Sequence, residues 1–209
     1  MLEPRKSPVQ ARSRNTVEAI LDATLQVLLH SGLDRLTTTR VAERAGVSVG
    51  TLYQYFPEKS ALLAAVLERH LLQIASAVEV ACANARNATV RAIATAAVHA
   101  YFSAKMRDPA VSRALYVVAA VTSVDPLIAK IVKRSRDALL AALMSASDLR
   151  VRSPELAAFL LSTIAIGPAQ ALVSPGEVAQ VQTSAVVDEL IEMICAYLER
   201  CPGSTDRAA

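Results

Sequence analysis

Apolar residues recur at helical spacing along most of the chain, and capping residues mark where helices begin. Three times an N-cap residue precedes a proline: Asp108-Pro109, Asp125-Pro126 and Ser153-Pro154. At the first helical position the missing N–H of proline costs nothing, and the Asp or Ser oxygen can accept from an unpaired backbone N–H. The second half is therefore predicted to form helices over residues 87–106, 109–121, 126–146, 154–173 and 184–200.

The first half of the chain predicts one ordinary helix, then two short ones. Residues 15–30 carry a single apolar face, and Gly32 can take the left-handed conformation that closes a helix. Short helices are predicted over 38–45 and from Ser48 to about Tyr55. After Pro57 a long helix begins near Glu58, and it joins the two halves directly.

Composition and charge narrow the class of protein. Glycine occurs 6 times, with none between Gly50 and Gly167, and alanine is abundant. Alanine is the best helix former and glycine a poor one, so the fold class is all-α. The 22 Lys/Arg and 19 Asp/Glu give a net charge of +3, which neither demands nor excludes a polyanionic partner. Only the first 14 residues are clearly basic, as a phosphate-binding arm or a soluble terminus would be.

Several classes of function find no support in the sequence. Three cysteines without C-x-x-C spacing favour a reducing cytoplasm. The uncharged run between Glu155 and Glu177 holds two prolines and several polar residues, so we expect a buried or subunit-interface helix and no membrane span. The three histidines are too scattered to predict a metal site. No nucleophile elbow, P-loop or dinucleotide glycine motif is present, so neither an enzyme nor a cofactor is expected.

The two short helices carry the strongest functional signal. They are too short to stand alone and must pack on a third helix, and Gly46 supplies a tight turn between them. That is the construction of a helix-turn-helix. Small and polar residues then face outward on the second helix, where hydroxyls can donate to phosphates and the Gln54 amide can pair with adenine. An ordinary helical hairpin with a polar face is the alternative.

Residues from about Arg14 to Ile74 resemble the DNA-binding domain of the TetR family of bacterial transcriptional regulators. The resemblance rests on Thr-Thr-Thr at 37–39, Val-Ala-x-x-Ala-Gly-Val-Ser at 41–48 and Gly-Thr-Leu-Tyr-x-Tyr-Phe at 50–56. It covers about the first third of the chain. The resemblance implies DNA-binding roles for Thr38, Thr39 and Arg40 before the turn, for Ser48, Val49, Gly50, Thr51, Tyr53, Gln54 and Tyr55 in the recognition helix, and for Lys59 as a phosphate anchor.

The resemblance also implies a domain organisation. Residues 1–13 are expected to form a flexible basic arm and 14–74 a three-helix helix-turn-helix DNA-binding domain. Residues 75–201 are expected to form a larger helical ligand-binding and dimerisation domain, and 202–209 a flexible C-terminus.

The second half offers candidates for a small-molecule site. A cavity lined by aliphatic residues with a few directional polar groups is what such a site needs. By analogy with the family, a pocket between these helices is expected, with an apolar or weakly polar effector. For any single residue an ordinary core position is the alternative. The candidates are His99, Tyr101, Met106, Tyr116, Thr163 and Gln170.

The last two predicted helices resemble the dimerisation element of the family. Four such helices from two subunits would bury their apolar faces as a bundle. The alternative is that the last stripe packs within one subunit. The stripe consists of Val187, Leu190, Ile191, Ile194 and Leu198.

These features together predict a cytoplasmic, homodimeric transcriptional regulator. We expect a repressor that a small-molecule effector releases from a near-palindromic operator in double-stranded DNA. An activator with the same DNA-binding domain is one alternative. A helical ligand-binding or scaffold protein that does not bind DNA is the other.

Overall fold

The computed structural model describes residues 8–122, 124–174 and 182–200, and this part of the chain is almost entirely helical, without strands. The prediction of an all-α fold is confirmed. The helices are α1 (Pro8–Ser31), α2 (Thr38–Ala45), α3 (Val49–Tyr55), α4 (Lys59–Asn84), α5 (Val90–Lys105), α6 (Pro109–Val121), α7 (Asp125–Met144), α8 (Pro154–Ile164), α9 (Ile166–Val173) and α10 (Thr183–Arg200).

Two predicted helix starts differ from the structure by more than one residue. Helix α1 begins at Pro8 rather than at 15, since proline is pre-organised for the first helical position. Residues 8–13 of the predicted flexible arm are therefore helical, while 1–7 and 202–209 lie outside the described residues. Helix α5 begins at Val90 rather than 87, because Thr89 caps it and Asn87 takes a left-handed conformation with φ of 63°.

The single helix predicted over 154–173 is wrong, because the structure has two helices there. Helix α8 ends at Ile164, and α9 begins at Ile166. The cause is Pro168, which has no N–H to donate and whose ring clashes with the carbonyl four residues earlier, at Ile164.

Contacts divide the chain into two compact units. The first runs to Arg69 and includes Ala114–Val124, and the second comprises His70–Arg113 and the chain from Asp125 onward. The division falls within α4, as does the predicted domain boundary between 74 and 75. That predicted boundary stays a prediction.

The first unit has its own apolar core. Helix α2 packs against α1, and α3 packs against α2. Ile20, Val41 and Leu52 are completely buried, and so is Thr24, whose hydroxyl donates to the Ile20 carbonyl at 2.7 Å. These contacts hold the two short helices in place, since neither would be stable alone.

The second unit is built around α5, which packs against α7 and α10. Its core includes fully buried alanines on α5 and α8, which let neighbouring backbones approach closely. At the surface Arg91 of α5 donates to Glu192 and Glu199 of α10 at 2.8 and 2.9 Å. These ion pairs are exposed, so apolar burial is the larger stabilising term.

Two helical stretches are long and apolar enough to cross a bilayer. They are Lys59–Asn84, with mean hydropathy 1.4, and Pro154–Val173, with mean hydropathy 1.8. The second is the interrupted pair α8 and α9. Both supply buried residues to the cores described above, such as Leu62 and Ala158. Helices that contribute to a protein core therefore satisfy the length and hydropathy criteria for a membrane span here.

Candidate nucleic-acid interface

The turn between α2 and α3 is fixed by backbone geometry at Gly46. This glycine has φ of 68°, and its N–H donates to the Glu43 carbonyl while the Val47 N–H donates to the Ala42 carbonyl at 3.0 Å. This pair of bonds is the Schellman closure, which needs a left-handed residue and so favours glycine. It sets the direction in which α3 leaves α2.

Both short helices have side-chain caps at their N-termini. The Thr37 hydroxyl accepts from the Arg40 N–H at 3.3 Å, and the Ser48 hydroxyl accepts from the Thr51 N–H at 3.0 Å. Capping bonds of this kind stabilise a helix by about 1 kcal/mol. The predicted bounds of α2 and α3 are confirmed. They could be predicted because each cap is formed by a residue close in sequence to the N–H that it binds.

One side of α3 is buried and the other faces solvent. Leu52 and Phe56 point into the core, 0% and 9% exposed. Ser48, Val49, Gly50, Tyr53 and Gln54 are exposed, and Thr51 and Tyr55 are half-buried. On α2, Thr39 and Arg40 are exposed and Thr38 is half-buried.

Hydrogen bonds join these exposed side chains to one another and to the backbone. The Tyr53 hydroxyl lies 3.1 Å from the Thr38 hydroxyl, which links α3 to the start of α2. The Lys59 ammonium donates to the Leu33 carbonyl at 3.1 Å. One of its three N–H donors is thereby used, and two remain for a phosphate. The predicted DNA-binding residues thus lie on the solvent-facing surface of α2, α3 and the start of α4 in the first unit, and their role in binding stays a prediction.

Arg44 belongs to the same surface but was not among the predicted residues. It is exposed on the last turn of α2, and its Nε donates to the Gln26 side chain of α1 at 2.6 Å. The signal was present in the sequence, because Arg40 and Arg44 are four residues apart and such residues share a helix face.

The predicted ligand-binding residues have different surroundings. Tyr101 and Met106 pack against the core of the second unit, and burial raises the pKa of Tyr101 to about 12. The Thr163 hydroxyl bonds carbonyls of its own helix, and Gln170 is half-buried. His99 is exposed, and Tyr116 is 44% exposed. The ligand site stays a prediction.

The predicted dimer stripe lies inside the core of the chain itself. All five residues are between 0% and 7% exposed and belong to the core of the second unit. In this fold the stripe therefore packs within one subunit, the alternative left open above. The reason is that α10 packs against α5, and the stripe of α10 lies in the core that includes α5. The residues are Val187, Leu190, Ile191, Ile194 and Leu198.

Other apolar residues on α8 and α10 remain exposed. Their fractions lie between 37% and 59%, and their spacing places those of each helix on one side of it. We call this set the outer apolar face. It consists of Leu156, Phe159, Leu160 and Ile164 on α8 and Met193 and Tyr197 on α10.

A partly buried polar cluster lies in the second unit. The Ser112 hydroxyl donates its single proton to the Lys105 carbonyl at 2.6 Å, so its oxygen accepts from Nε2 of His70 at 3.3 Å. In this arrangement Nε2 of His70 carries a proton. Burial first, and then the charge of Lys105, lower the pKa of His70 from 6.5 to about 4, while Asp108 acts in the opposite direction.

We expect acid to destabilise the second unit through His70. In the unfolded chain this histidine gains a proton as pH falls through 6.5, whereas in the folded chain it gains one only near pH 4. The contribution of His70 to the free energy of unfolding is therefore fully present above pH 6.5 and declines between these two values. Between pH 7.5 and pH 5 this loss is about 2 kcal/mol. Urea unfolding at both pH values measures it.

The matched variants are His70→Gln, which keeps an N–H donor without titrating, and His99→Gln at an exposed position of α5. The His70→Gln protein should lose this part of the pH dependence, and the His99→Gln protein should retain it. Equal pH dependence in all three proteins would contradict the assignment.

The cysteine, histidine and acidic side chains of the described residues do not form a metal site. Within residues 8–122, 124–174 and 182–200 no group of three or more His, Cys, Asp or Glu side chains is arranged to hold a metal ion. Cys82 and Cys195 are buried free thiols, and burial raises the pKa of Cys82 to about 11. Such thiols act as small core residues.

The geometry of α2, the Gly46 turn and α3 defines a helix-turn-helix protein. Family models agree with that class along most of the chain. Residues 20–66 match the family described as bacterial regulatory proteins, tetR family, and residues 89–198 match the tetracyclin repressor-like C-terminal domain. The second match alone covers more than half of the chain. The chain belongs to the TetR family, which confirms the resemblance seen in the sequence.

Curated relatives match over part of the chain. The HTH-type transcriptional repressor KstR of Mycolicibacterium smegmatis is 46% identical over 61 residues, which are 29% of this chain and 30% of the relative. The nucleoid occlusion factor SlmA of Haemophilus ducreyi is 43% identical over 68 residues, 32% and 31% of the two chains. This chain thus spans less than a third of these relatives.

Solved structures extend the likeness to the whole fold. SmeT, the repressor of the Stenotrophomonas maltophilia multidrug efflux pump SmeDEF, aligns over 93% of this chain and 98% of its own with a TM-score of 0.68. Its sequence identity is 22%. The comparison therefore shows a common fold, and function has to be argued from the site residues. TetR-family regulators bind DNA operators, typically as dimers that respond to small molecules.

Proposed function

We propose that this protein is a cytoplasmic, homodimeric transcriptional repressor that a small-molecule effector releases from a near-palindromic DNA operator. The observation that carries the proposal is the surface of α2 and α3, an exposed set of polar side chains held by a buried apolar core. The match to KstR, an HTH-type transcriptional repressor, supports a repressor. The protein acts in this proposal by binding and not by catalysis.

The DNA-binding part of the proposal rests on the arrangement of donors. Arg40, Arg44 and Lys59 present positive charge beside α3, where phosphates lie when a helix enters the major groove. Thr38, Thr39, Tyr53 and Tyr55 add hydroxyls that can donate to phosphate oxygens. These groups would fix the register of the protein on DNA, so that α3 reads base edges.

The outer apolar face supports the homodimer. Leu156, Phe159 and Leu160 on α8 are 41–53% exposed, and Met193 on α10 is 59% exposed. Several large apolar groups exposed along one side of a helix, as on α8, mark an interaction surface. A second copy of the chain covers it in our proposal, because a two-fold interface is self-complementary and a dimer presents two recognition helices to one operator.

The effector part rests on the second unit. Tyr101 and Met106 pack against an apolar core, and Thr163 and Gln170 are polar residues on α8 and α9. This combination suits an apolar or weakly polar small molecule. The effector releases DNA only if it binds the conformation that cannot bind DNA more tightly than the one that can.

A mobility shift with the DNA upstream of the protein's own coding sequence, followed by selection from random DNA, tests the proposal. We expect saturable binding that survives competitor, has a steep salt dependence and gives a footprint of two half-sites. A reporter placed behind the bound site should be less active when the protein is present. Failure of both DNA sources to give specific binding would support the scaffold alternative, and a more active reporter would support an activator.

The role of Lys59 gives a quantitative prediction. The change Lys59→Gln should weaken binding to all sequences about equally. It should also reduce the slope of log affinity against log salt by about 2 for a dimer, since each phosphate contact contributes about 0.9. The control is Lys130→Gln at an exposed position of α7 in the second unit. An unchanged slope in the Lys59→Gln protein would remove Lys59 from the DNA contacts.

A further inference from the structure

The recognition helix contains no charged residue. From Ser48 to Phe56 every side chain is apolar, hydroxyl-bearing, aromatic or amide. The most frequent specific contact between proteins and DNA is an arginine or lysine that donates to O6 and N7 of guanine. Helix α3 has no group that can make this contact.

The nearest cations are held away from the centre of α3 by hydrogen bonds. Arg40 donates to the Arg35 carbonyl at 2.9 Å, Arg44 to the Gln26 side chain at 2.6 Å and Lys59 to the Leu33 carbonyl at 3.1 Å. Each is thereby directed toward α1 or the loop before α2. These positions suit phosphates that flank the groove better than base edges within it.

Gln54 is the side chain on α3 that is ready for base recognition. It is exposed, and no other group of the described chain bonds its amide. By contrast, Ser48 and Thr51 bond each other at 2.8 Å, and the Tyr53 hydroxyl bonds Thr38. A glutamine amide matches adenine, which offers an N6–H donor and the N7 acceptor side by side in the major groove.

The N-terminal turn of α3 offers apolar contacts. Val49 is 36% exposed, and the methyl group of Thr51 is left for contacts because its hydroxyl is bonded to Ser48. Beside them, a Cβ at Gly50 would meet no atom nearer than the Ser48 hydroxyl at 3.8 Å. The packing of the free protein therefore does not require a glycine there, and the absent side chain suits close approach to an outside surface. Methyl groups in the major groove belong to thymine.

We propose that α3 reads A·T base pairs, with Gln54 bonded to an adenine and Val49 and Thr51 packed on thymine methyl groups. This inference rests on the proposed function, and it specifies the partner of that surface. Each operator half-site then has A·T pairs at its centre, opposite α3. The guanine contacts common in other DNA-binding proteins are absent from these positions.

Selection from randomised duplex DNA tests the inference on the full-length protein. Wild type, Gln54→Ala and a matched control, Gln73→Ala at an exposed position of α4, are compared. We expect wild type and control to enrich half-sites with a fixed A·T pair at one position. The Gln54→Ala protein should accept any pair there and bind the wild-type site about 10-fold more weakly, within the range for one bidentate contact.

Base analogues give a second readout without any change to the protein. Replacing the fixed adenine by 7-deazaadenine removes N7 and should weaken wild type about as much as Gln54→Ala, without further effect on that variant. Replacing the adjacent thymines by deoxyuridine removes their methyl groups and should weaken wild type and control alike.

Enriched sites with G·C pairs at the centre of the half-site would overturn the inference and leave the proposed function intact. The same result follows if Gln54→Ala selects the wild-type sequence unchanged. Failure of wild type to enrich any sequence would overturn both. Circular dichroism of each variant checks that the fold is kept, which the exposed position of Gln54 leads us to expect.

Discussion

A glutamate at Leu160 is expected to convert the protein from a dimer to a monomer and to reduce operator affinity at least 100-fold. Leu160 lies in the outer apolar face of α8, where the proposed partner subunit would cover it. An unpaired carboxylate in an apolar contact destabilises it by about 3–5 kcal/mol, and two-fold symmetry places one on each subunit. Light scattering after size-exclusion chromatography measures the mass, and a mobility shift measures the affinity.

Val80→Glu is the matched control for this variant. Val80 is also an exposed aliphatic residue, 57% exposed on α4, but it is not part of the outer apolar face. It should remain a dimer with wild-type affinity. If Leu160→Glu stays dimeric while its helix content is unchanged, the dimer must form through another surface.

Truncation of Leu52 to alanine should destabilise the first unit by about 2–5 kcal/mol, because the deletion leaves a cavity in a packed core. Leu52 is 0% exposed and is the apolar residue through which α3 is anchored. The second unit has its own core, so unfolding should separate into two transitions, of which the earlier one involves the first unit. Urea unfolding followed by far-UV circular dichroism detects both.

Val49→Ala provides the comparison on the same helix. Val49 is partly exposed, and surface substitutions of this kind change stability by about 0.5 kcal/mol or less. A loss below 1 kcal/mol for Leu52→Ala would mean that α3 is held by something other than this side chain.

Local signals explain why α2 and α3 could be predicted from sequence. The caps at Thr37 and Ser48 and the closure of α2 at Gly46 depend on residues within one turn of each helix end. The break between α8 and α9 also has a local cause, Pro168. One helix was predicted there because the apolar pattern continues across this proline. Apolar periodicity predicts which face of a helix is buried, whereas a proline inside the segment indicates where the helix is interrupted.

The dimer stripe on α10 could not be assigned from sequence for a different reason. An apolar stripe must be covered, but the stripe itself does not identify what covers it. Leu190 and Ile194 pack within the chain, while Met193 and Tyr197, which border the stripe on the same helix, remain exposed. The polar residues His99 and Tyr101 posed the same problem, since two residues only two positions apart differ in exposure once the helix is packed.

The hydrogen bonds on the DNA-facing surface have an entropic consequence. Tyr53, Arg40 and Lys59 are each already held by a partner in the free protein. Ordering a flexible side chain on binding costs about 0.5–1.5 kcal/mol, and here part of that ordering is complete before DNA arrives. Association with DNA then needs little rearrangement within each subunit, so discrimination between operators should appear mainly in how slowly the protein dissociates.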